Sequence, residues 1–465
     1  DLLMKHSDAN PGVIALEVAS HSAADKKWAA ELVGSLQLMD TWEEIQSIKG
    51  TELLGQQPAQ TPEDSSSAMP FSSHLNSTTL PSWFWHRAMT TGVVLYEPCG
   101  GICTGLQAAL RNGWRINRYL YSDTSREANI VADQVVKGMS AVYPPLLPEK
   151  AWANMRALPA DITRLTPKML QQQGIELGEQ WVVICGSPCT GFSNAGSRKG
   201  LKDPQSKILY DVVSMISFMQ KNAKMQPAYL IENAPIACNE KGKDDKAADQ
   251  IQEIRGMVGQ EILMDAAQLG SRAHRLRSFW TNLVNPFKLQ QVVDAVHRDG
   301  SITVNQLLRD GWSTQEVTKP DHPSQYPCNR VGEEMRALPT FTRVRGSRAF
   351  RDQKPGMLTR RLANDETSAF REPDVQEKLR IMGFDANLLS DNRISTEDAH
   401  GLIGNAIDLT ALSRLLALAE ASAARLGKCI PTGKSMSIQK DLTDADPRLN
   451  PVSYTHLTLP TKLAV

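Results

Sequence analysis

An α/β fold with a parallel sheet and helices on both faces is predicted by two features of the sequence. Short apolar runs alternate with helical-period segments between residues 93 and 258, and several of those runs end in glycine, an acid or cysteine. A third feature sets the scale: 465 residues, 41% hydrophobic and 22% charged, describe a globular chain with a sizeable core and room for two or three domains. Disorder throughout is excluded, and no stretch approaches 18 consecutive apolar residues, so no membrane partner is expected.

Residues 1–54 carry apolar positions near helical spacing (Val13, Ile14, Leu16, Val18, then Leu32, Val33, Leu36, Leu38) and read as an acidic, helical N-terminal segment. The chain starts at Asp1 rather than Met and reads as a fragment. Residues 55–82, rich in Gln, Ser, Thr and Pro, read as a disordered linker. The core, 83–283, then pairs strand and helix four times. Val93–Tyr96 precedes Thr104–Leu110, Tyr119–Ser122 precedes Glu127–Val136, Trp181–Cys185 precedes Lys207–Gln220, and Ala228–Ile231 precedes Ala247–Val258. Residues 284–338 break this rhythm and suggest a small inserted domain. The core resumes in 339–428 with helical patterns at 373–382 and 404–426, and 429–465 read as a disordered tail whose last residues resemble a translated adapter.

A sheet of this kind binds ligands beyond the carboxyl ends of its strands. The first strand ends in Glu97, followed by Gly100, Gly101, Ile102, Cys103, Thr104 and Gly105, a turn that is neither GxGxxG nor GxxxxGK[ST] and does not favour a phosphate site. Asp123 ends the second strand, where an acid accepts two ribose hydroxyls. Asp161-Ile162, read as a third strand end, would hold an adenine amino group. Each acid alone is equally a helix N-cap; three together suggest a nucleoside cofactor without a phosphate requirement.

Cys189 follows the fourth strand in "GSPCTGFS". A lone cysteine is commonly structural, but a thiol on an exposed turn near backbone N–H groups and near Arg198 and Lys199 is suited to act as a nucleophile. Glu232 and Asn233 end the fifth strand, where a buried carboxylate requires partners or a task. Arg275 and Arg277 lie two apart on one face of an extended segment, either as surface charges or as a grip on an anionic or carbonyl group. The seven cysteines include no CxxC pair and give neither a disulfide framework nor a four-cysteine zinc site, so no metal is expected.

The formal net charge is +0, but it is a cancellation. Residues 1–64 hold 11 acids and 4 bases, whereas 336–361 hold 8 bases, including Arg343, Arg345 and Arg348, and 1 acid. That basic run reads as a solvated face or as a phosphate-binding rim.

Taken in order, these segments resemble the cytosine-5 DNA methyltransferases, most closely the eukaryotic de novo type. "LYEPCGGICTGL" resembles the cofactor loop, "YSDTS" and "PADITRL" the ribose and adenine acids, "CGSPCTGFSNAG" the catalytic Pro-Cys loop, "LIENAP" the Glu-Asn strand, "HRLRSFW" the Arg-x-Arg strand, and "LIGNAIDLTALSRLL" the C-terminal Gly-Asn helix. Thr190 stands where Gln or Asn is usual, Ala234 replaces Val, and Cys99 occupies the place of a Phe. The resemblance implies a Rossmann-like S-adenosylmethionine-dependent sheet, with 284–338 as a target-recognition domain. Cys189, Glu232, Arg275 and Arg277 would be catalytic. Glu97, Gly100 to Thr104, Asp123, Asp161, Ile162, Asn405 and Ala406 would line the cofactor, and Arg198, Lys199, Arg343, Arg345 and Arg348 would contact DNA. It further implies double-stranded DNA as partner, room for a homo-oligomer or a regulatory protein partner, and a nuclear location. The alternatives are a tRNA methyltransferase, whose usual Cys-Phe-Thr signature is missing from 284–338, and an inactive regulatory relative, which would not need the retained thiol and carboxylate.

Overall fold

The computed structural model describes residues 74–189, 191–192, 200–235, 245–297, 303–361, 368–424 and 436–437. The predicted N-terminal segment, residues 55–73 of the linker, Arg198, Lys199 and the tail beyond 437 lie outside the described residues. Ser67–Glu420 with Pro431–Val465 forms one compact unit, to which everything below belongs apart from residues 421–424.

Six strands form the central sheet: β1 (Val93–Pro98), β2 (Ile116–Ser122), β3 (Trp181–Gly186), β4 (Ala228–Asn233), β5 (Ile262–Asp265) and β6 (Leu276–Thr281), in the order β2-β1-β3-β4-β6-β5. Four of the strands, β2, β1, β3 and β4, are mutually parallel, while β6 runs antiparallel to both β4 and β5. The apolar runs are continuous because both faces are covered. Val94, Tyr96, Val183, Cys185, Tyr229 and Ile231 pack on one side with Leu209, Val212, Val213, Ile216, Met219, Ile254 and Met257. The intervening Ile184 meets Gly105 on the other side.

The helices, in chain order, are α1 (Trp83–Thr90), α2 (Thr104–Arg111), α3 (Arg126–Val142), α4 (Glu149–Trp152), α5 (Pro167–Gln172), α6 (Ile208–Asn222), α7 (Asp245–Val258), α8 (Pro286–Asp294), α9 (Val375–Ile381), α10 (Thr396–Asn405) and α11 (Leu409–Ala424). Several begin where a side chain satisfies the free amides of the first turn. Ser125 caps α3, Ser395 caps α10, and Asp374 with Glu377 forms a reciprocal capping box on α9. Among the described residues, Thr396–Ala423 has the length and apolarity of a membrane span, and most of it is buried, as core helices are.

Three expectations change. Residues 74–82, assigned to the linker, pack against the core. Leu75 and Leu80 are buried, and their amides donate to Met257 O and Asn282 O at 2.7 and 2.8 Å. Asp161 does not end a strand; it caps a single 3-10 turn, Ile162–Arg164, because the run before it is too short and too rich in turn residues to extend. Finally, the inserted region does not close at 338. Its small antiparallel sheet joins β8 (Ser313–Thr314) to β9 (Leu358–Arg361) and β10 (Ser368–Arg371), since a two-residue strand needs the later hairpin to pair with. A two-residue β7 (Val296–His297) pairs in parallel with β11 (Met436–Ser437).

Candidate active site

β1 has β2 on one side and β3 on the other, so the chain reverses direction across the sheet at that point. In α/β sheets such a switch point forms the ligand crevice, beyond the carboxyl ends of the strands. The glycine loop after β1 and the Cys189 loop after β3 flank it.

Glu97 does not face the crevice as expected. Its carboxylate is buried and accepts Gly105 N at 2.7 Å, Leu106 N at 2.9 Å and Tyr119 Oη at 2.8 Å. Burial raises its pKa to about 7 against the opposing pull of those three donors. The strand thus supplies its own anion to the N-terminus of α2, occupying the position a phosphate would take. Asp123 remains beside the loop, with Oδ2 accepting Gly101 N at 2.9 Å and Oδ1 accepting Ser125 N at 2.8 Å. Burial raises its pKa, and the two amides oppose that shift. Gly101 has φ +52°, and a Cβ there would meet no atom within 4 Å, so the loop presents open space beside a carboxylate. The side chains of Ile102, Cys103 and Thr104, expected to line a cofactor, are buried, as is Ile162; Cys99, Gly100 and Gly101 form the partly exposed stretch of the loop. An acid with spare lone pairs, a glycine turn and a helix end already neutralised suit a nucleoside whose charge is not phosphate, which fits S-adenosylmethionine. Asp161, the third acid assigned to the cofactor, makes local contacts. It is partly exposed, accepts from Thr163 N and Oγ1 at 3.0 and 2.7 Å, and lies near Arg164.

Cys189 and Glu232 come from the adjacent parallel strands β3 and β4. The turn bearing the thiol is fastened to the end of β4. Ser187 N donates to Glu232 O at 3.2 Å, and Asn233 Nδ2 donates to Ser187 Oγ at 2.8 Å and to Ser187 O and Pro188 O at 3.4 Å. Asn233, to which the sequence assigned no role, is the clamp; its position directly after the acid was the available signal. Because β6 is reversed, its beginning rather than its end lies at this edge, which brings Arg277 to Glu232. Arg277 Nε stands 2.7 Å from Glu232 Oε1, at ion-pair distance, yet that oxygen accepts no aligned hydrogen bond. A buried carboxylate is expensive unless it is paired, and Arg277 supplies the opposite charge. Arg277 Nη1 donates to Leu276 O at 2.7 Å.

Arg275, expected to support the catalytic loop or a phosphate, is almost wholly buried. It donates to Phe341 O at 3.4 Å and Gly404 O at 2.9 Å. Burial and the neighbouring Arg277 charge pull its pKa down to about 10, leaving it protonated at neutral pH. It therefore ties the start of β6 to α10 and to the segment leading into Arg343. Gly404 meets that segment directly: a Cβ there would lie 2.3 Å from Arg343 N, so only glycine fits. Past α10, Ile407 O lies 3.5 Å from Thr104 Oγ1, which returns the C-terminal helix to the glycine loop, with Ala406 buried and Asn405 exposed. Arg343, Val344, Arg345 and Arg348 are exposed on the loop that follows, and Glu372 Oε2 accepts Gly346 N at 2.8 Å within it.

The mostly parallel sheet, its switch-point crevice and a carboxylate-lined glycine loop together define an S-adenosylmethionine-dependent methyltransferase. Residues 152–417, more than half of the chain, match the C-5 cytosine-specific DNA methylase family, and the chain belongs to that family, which transfers a methyl group from S-adenosylmethionine to cytosine. Cys189, Glu232, Arg275, Arg277 and Asn405 lie inside the matched span, and the glycine loop and Asp123 lie before it. No curated protein matches the chain. Similar solved structures include a Dnmt2 methyltransferase from S. pombe (18% identity, TM-score 0.45, covering 70% of this chain and 98% of that one). Others are a DNMT2 mutant from Spodoptera frugiperda (18%, 0.39, 70% and 99%) and the methyltransferase EhMeth from Entamoeba histolytica (14%, 0.38, 70% and 97%).

Proposed function

We propose that the chain methylates carbon 5 of cytosine in double-stranded DNA through a covalent bond between Cys189 and a base turned out of the helix. The observation that carries this reading is the buried Glu232 carboxylate, ion-paired with Arg277, beside the clamped Cys189 turn. The Cys189 sulfur adds to ring carbon 6, a bond that places negative charge on the ring. Glu232 accepts from the 4-amino group and shares a proton with ring nitrogen 3 as that charge grows. Arg277 holds Glu232 in place electrostatically. S-adenosylmethionine would supply the electrophilic methyl group, and Asp123 with the partly exposed Cys99 to Gly101 stretch would hold it. Carbon 5, once methylated, loses its proton to a base, and the electron pair left behind expels Cys189.

Duplex DNA is favoured over a small molecule by Arg343, Arg345 and Arg348, exposed on a loop anchored to the site through Arg275 and Gly404. Such arginines neutralise phosphates, and one of them can read guanine in the major groove. A target cytosine is inaccessible until it is flipped. Incubation with 5-fluorocytosine duplex DNA and S-adenosylmethionine is expected to give a denaturation-resistant adduct that Cys189→Ala lacks. An adduct with tRNA alone would move the substrate to RNA, and none with either nucleic acid would sink the covalent mechanism. The same reading locates the chain in the nucleus; a tagged chain confined to the cytosol would remove that part.

A further inference from the structure

The mechanism leaves unused a buried cluster at the foot of the inserted region. His274, just before Arg275, is 2% exposed. Its Nε2 lies 3.2 Å from Asp321 Oδ1 and 3.9 Å from Cys328 Sγ, and one ligand atom from each of the three residues falls within 4.8 Å of the others. A tetrahedral zinc ion with its usual nitrogen, oxygen and sulfur bond lengths keeps its ligand atoms roughly 3.3–3.8 Å apart, so the two distances from Nε2 are close to those of a coordination shell.

The surroundings orient the three groups as metal ligands are commonly oriented. His274 Nδ1 lies 2.9 Å from Asp265 Oδ2, which fixes the ring and directs Nε2 at the cluster. Asp265 is itself held by Arg275 N at 2.8 Å and Tyr326 N at 3.0 Å. Asp321 Oδ2 accepts Cys328 N and Asn329 N, both at 2.8 Å, which sets the thiol beside the carboxylate. Asn329 closes another side: its Oδ1 accepts Arg336 N at 2.8 Å, so its Nδ2 faces Asp321 and His274.

We infer that His274, Asp321 and Cys328 form a binding site for one divalent cation of the zinc class, with Asp265 orienting the imidazole and a water completing the shell. An imidazole, a thiolate and a carboxylate together select a borderline-soft ion over magnesium or calcium. Without the ion, the ring lies between the carboxylates of Asp265 and Asp321, at 2.9 and 3.2 Å. Binding the cation displaces the Nε2 proton and the Cys328 thiol proton, and both go to solvent. The ion would pin the 321–328 loop to the segment that enters β6 with Arg275 and Arg277, and would take no part in methyl transfer.

The test uses the full chain, stripped with a chelator, dialysed and titrated with Zn²⁺ or Co²⁺ alone. About one equivalent is expected to bind, raising the melting temperature by roughly 5 °C, and the cobalt form is expected to show tetrahedral visible bands with a near-ultraviolet thiolate band. Cys328→Ala is expected to abolish the thiolate band. Asp321→Asn, a nearly isosteric change, is expected to weaken binding about tenfold or more with an unchanged far-ultraviolet spectrum. Substoichiometric binding to the wild-type chain, or a thiolate band that survives Cys328→Ala, would overturn the site.

Discussion

Arg277 Nε lies 2.7 Å from Glu232 Oε1 without an aligned hydrogen bond between them. The pairing neutralises a buried carboxylate while leaving its lone pairs for a substrate. Replacing Arg277 by Met strands the charge, and kcat is expected to fall about 100-fold with a smaller change in KM. Glu232→Gln keeps the shape but cannot stabilise the developing ring proton, so a rate loss of about 10²–10³ with near-normal DNA affinity is expected. Single-turnover rates equal to wild type in either variant would contradict these roles.

Arg275 predicts a different pattern because it touches backbone rather than substrate. Arg275→Ala leaves the Phe341 and Gly404 carbonyls without their charged donor and is expected to cost about 2–4 kcal/mol in urea unfolding. Arg275→Lys should recover only part of this, since one ammonium cannot span both carbonyls in the guanidinium's geometry. KM for DNA should rise more than KM for S-adenosylmethionine.

Glu97 gives a pH dependence. Exposed, it titrates near 4.5, and burial raises it to about 7 in the folded chain. Between those values the folded state binds more protons, so this contribution is full below 4.5 and is lost as pH rises through 7. The wild type is expected to lose up to about 3 kcal/mol more than Glu97→Gln across that interval. Asp408, raised by burial to about 6, acts in the same direction in both proteins and cancels in the comparison. Urea midpoints from pH 4.5 to 8 test this; parallel curves would refute it.

Arg345→Ala is expected to weaken DNA binding uniformly across sequences and to lower the slope of log affinity against log salt by about 1, as for loss of one phosphate contact. Arg343→Ala should also change the preference for flanking bases, by about 1–3 kcal/mol at one position. Salt titrations on two DNA sequences separate the two effects.

The sequence disclosed β1 to β4 and the thiol, carboxylate and arginines at their edge, because fully buried strands leave continuous apolar runs and the reactive residues follow them directly. The reversal of β6 left no such mark, since an apolar run reads alike in either direction. Glu97 was misread for a related reason: a strand buried on both faces does not reveal whether its last acid turns toward the crevice or toward the following helix. Asp161 was misread because a side chain that caps a turn and one that ends a strand occupy the same kind of local sequence. Arg275 reaches Phe341 and Gly404 across 66 and 129 residues, a separation that no local pattern reports.

The missing Cβ at Gly404 has a consequence for how the enzyme responds to injury. Arg343 N would lie 2.3 Å from that Cβ, and the Gly404 carbonyl accepts from Arg275 two strands away from the thiol. A methyl group added there touches neither Asp123 nor Cys189, yet it wedges the Arg343 segment away from α10. Gly404→Ala should therefore yield a folded protein that still takes up its methyl donor and can no longer bring a chosen cytosine to it: a lesion of aim rather than of chemistry.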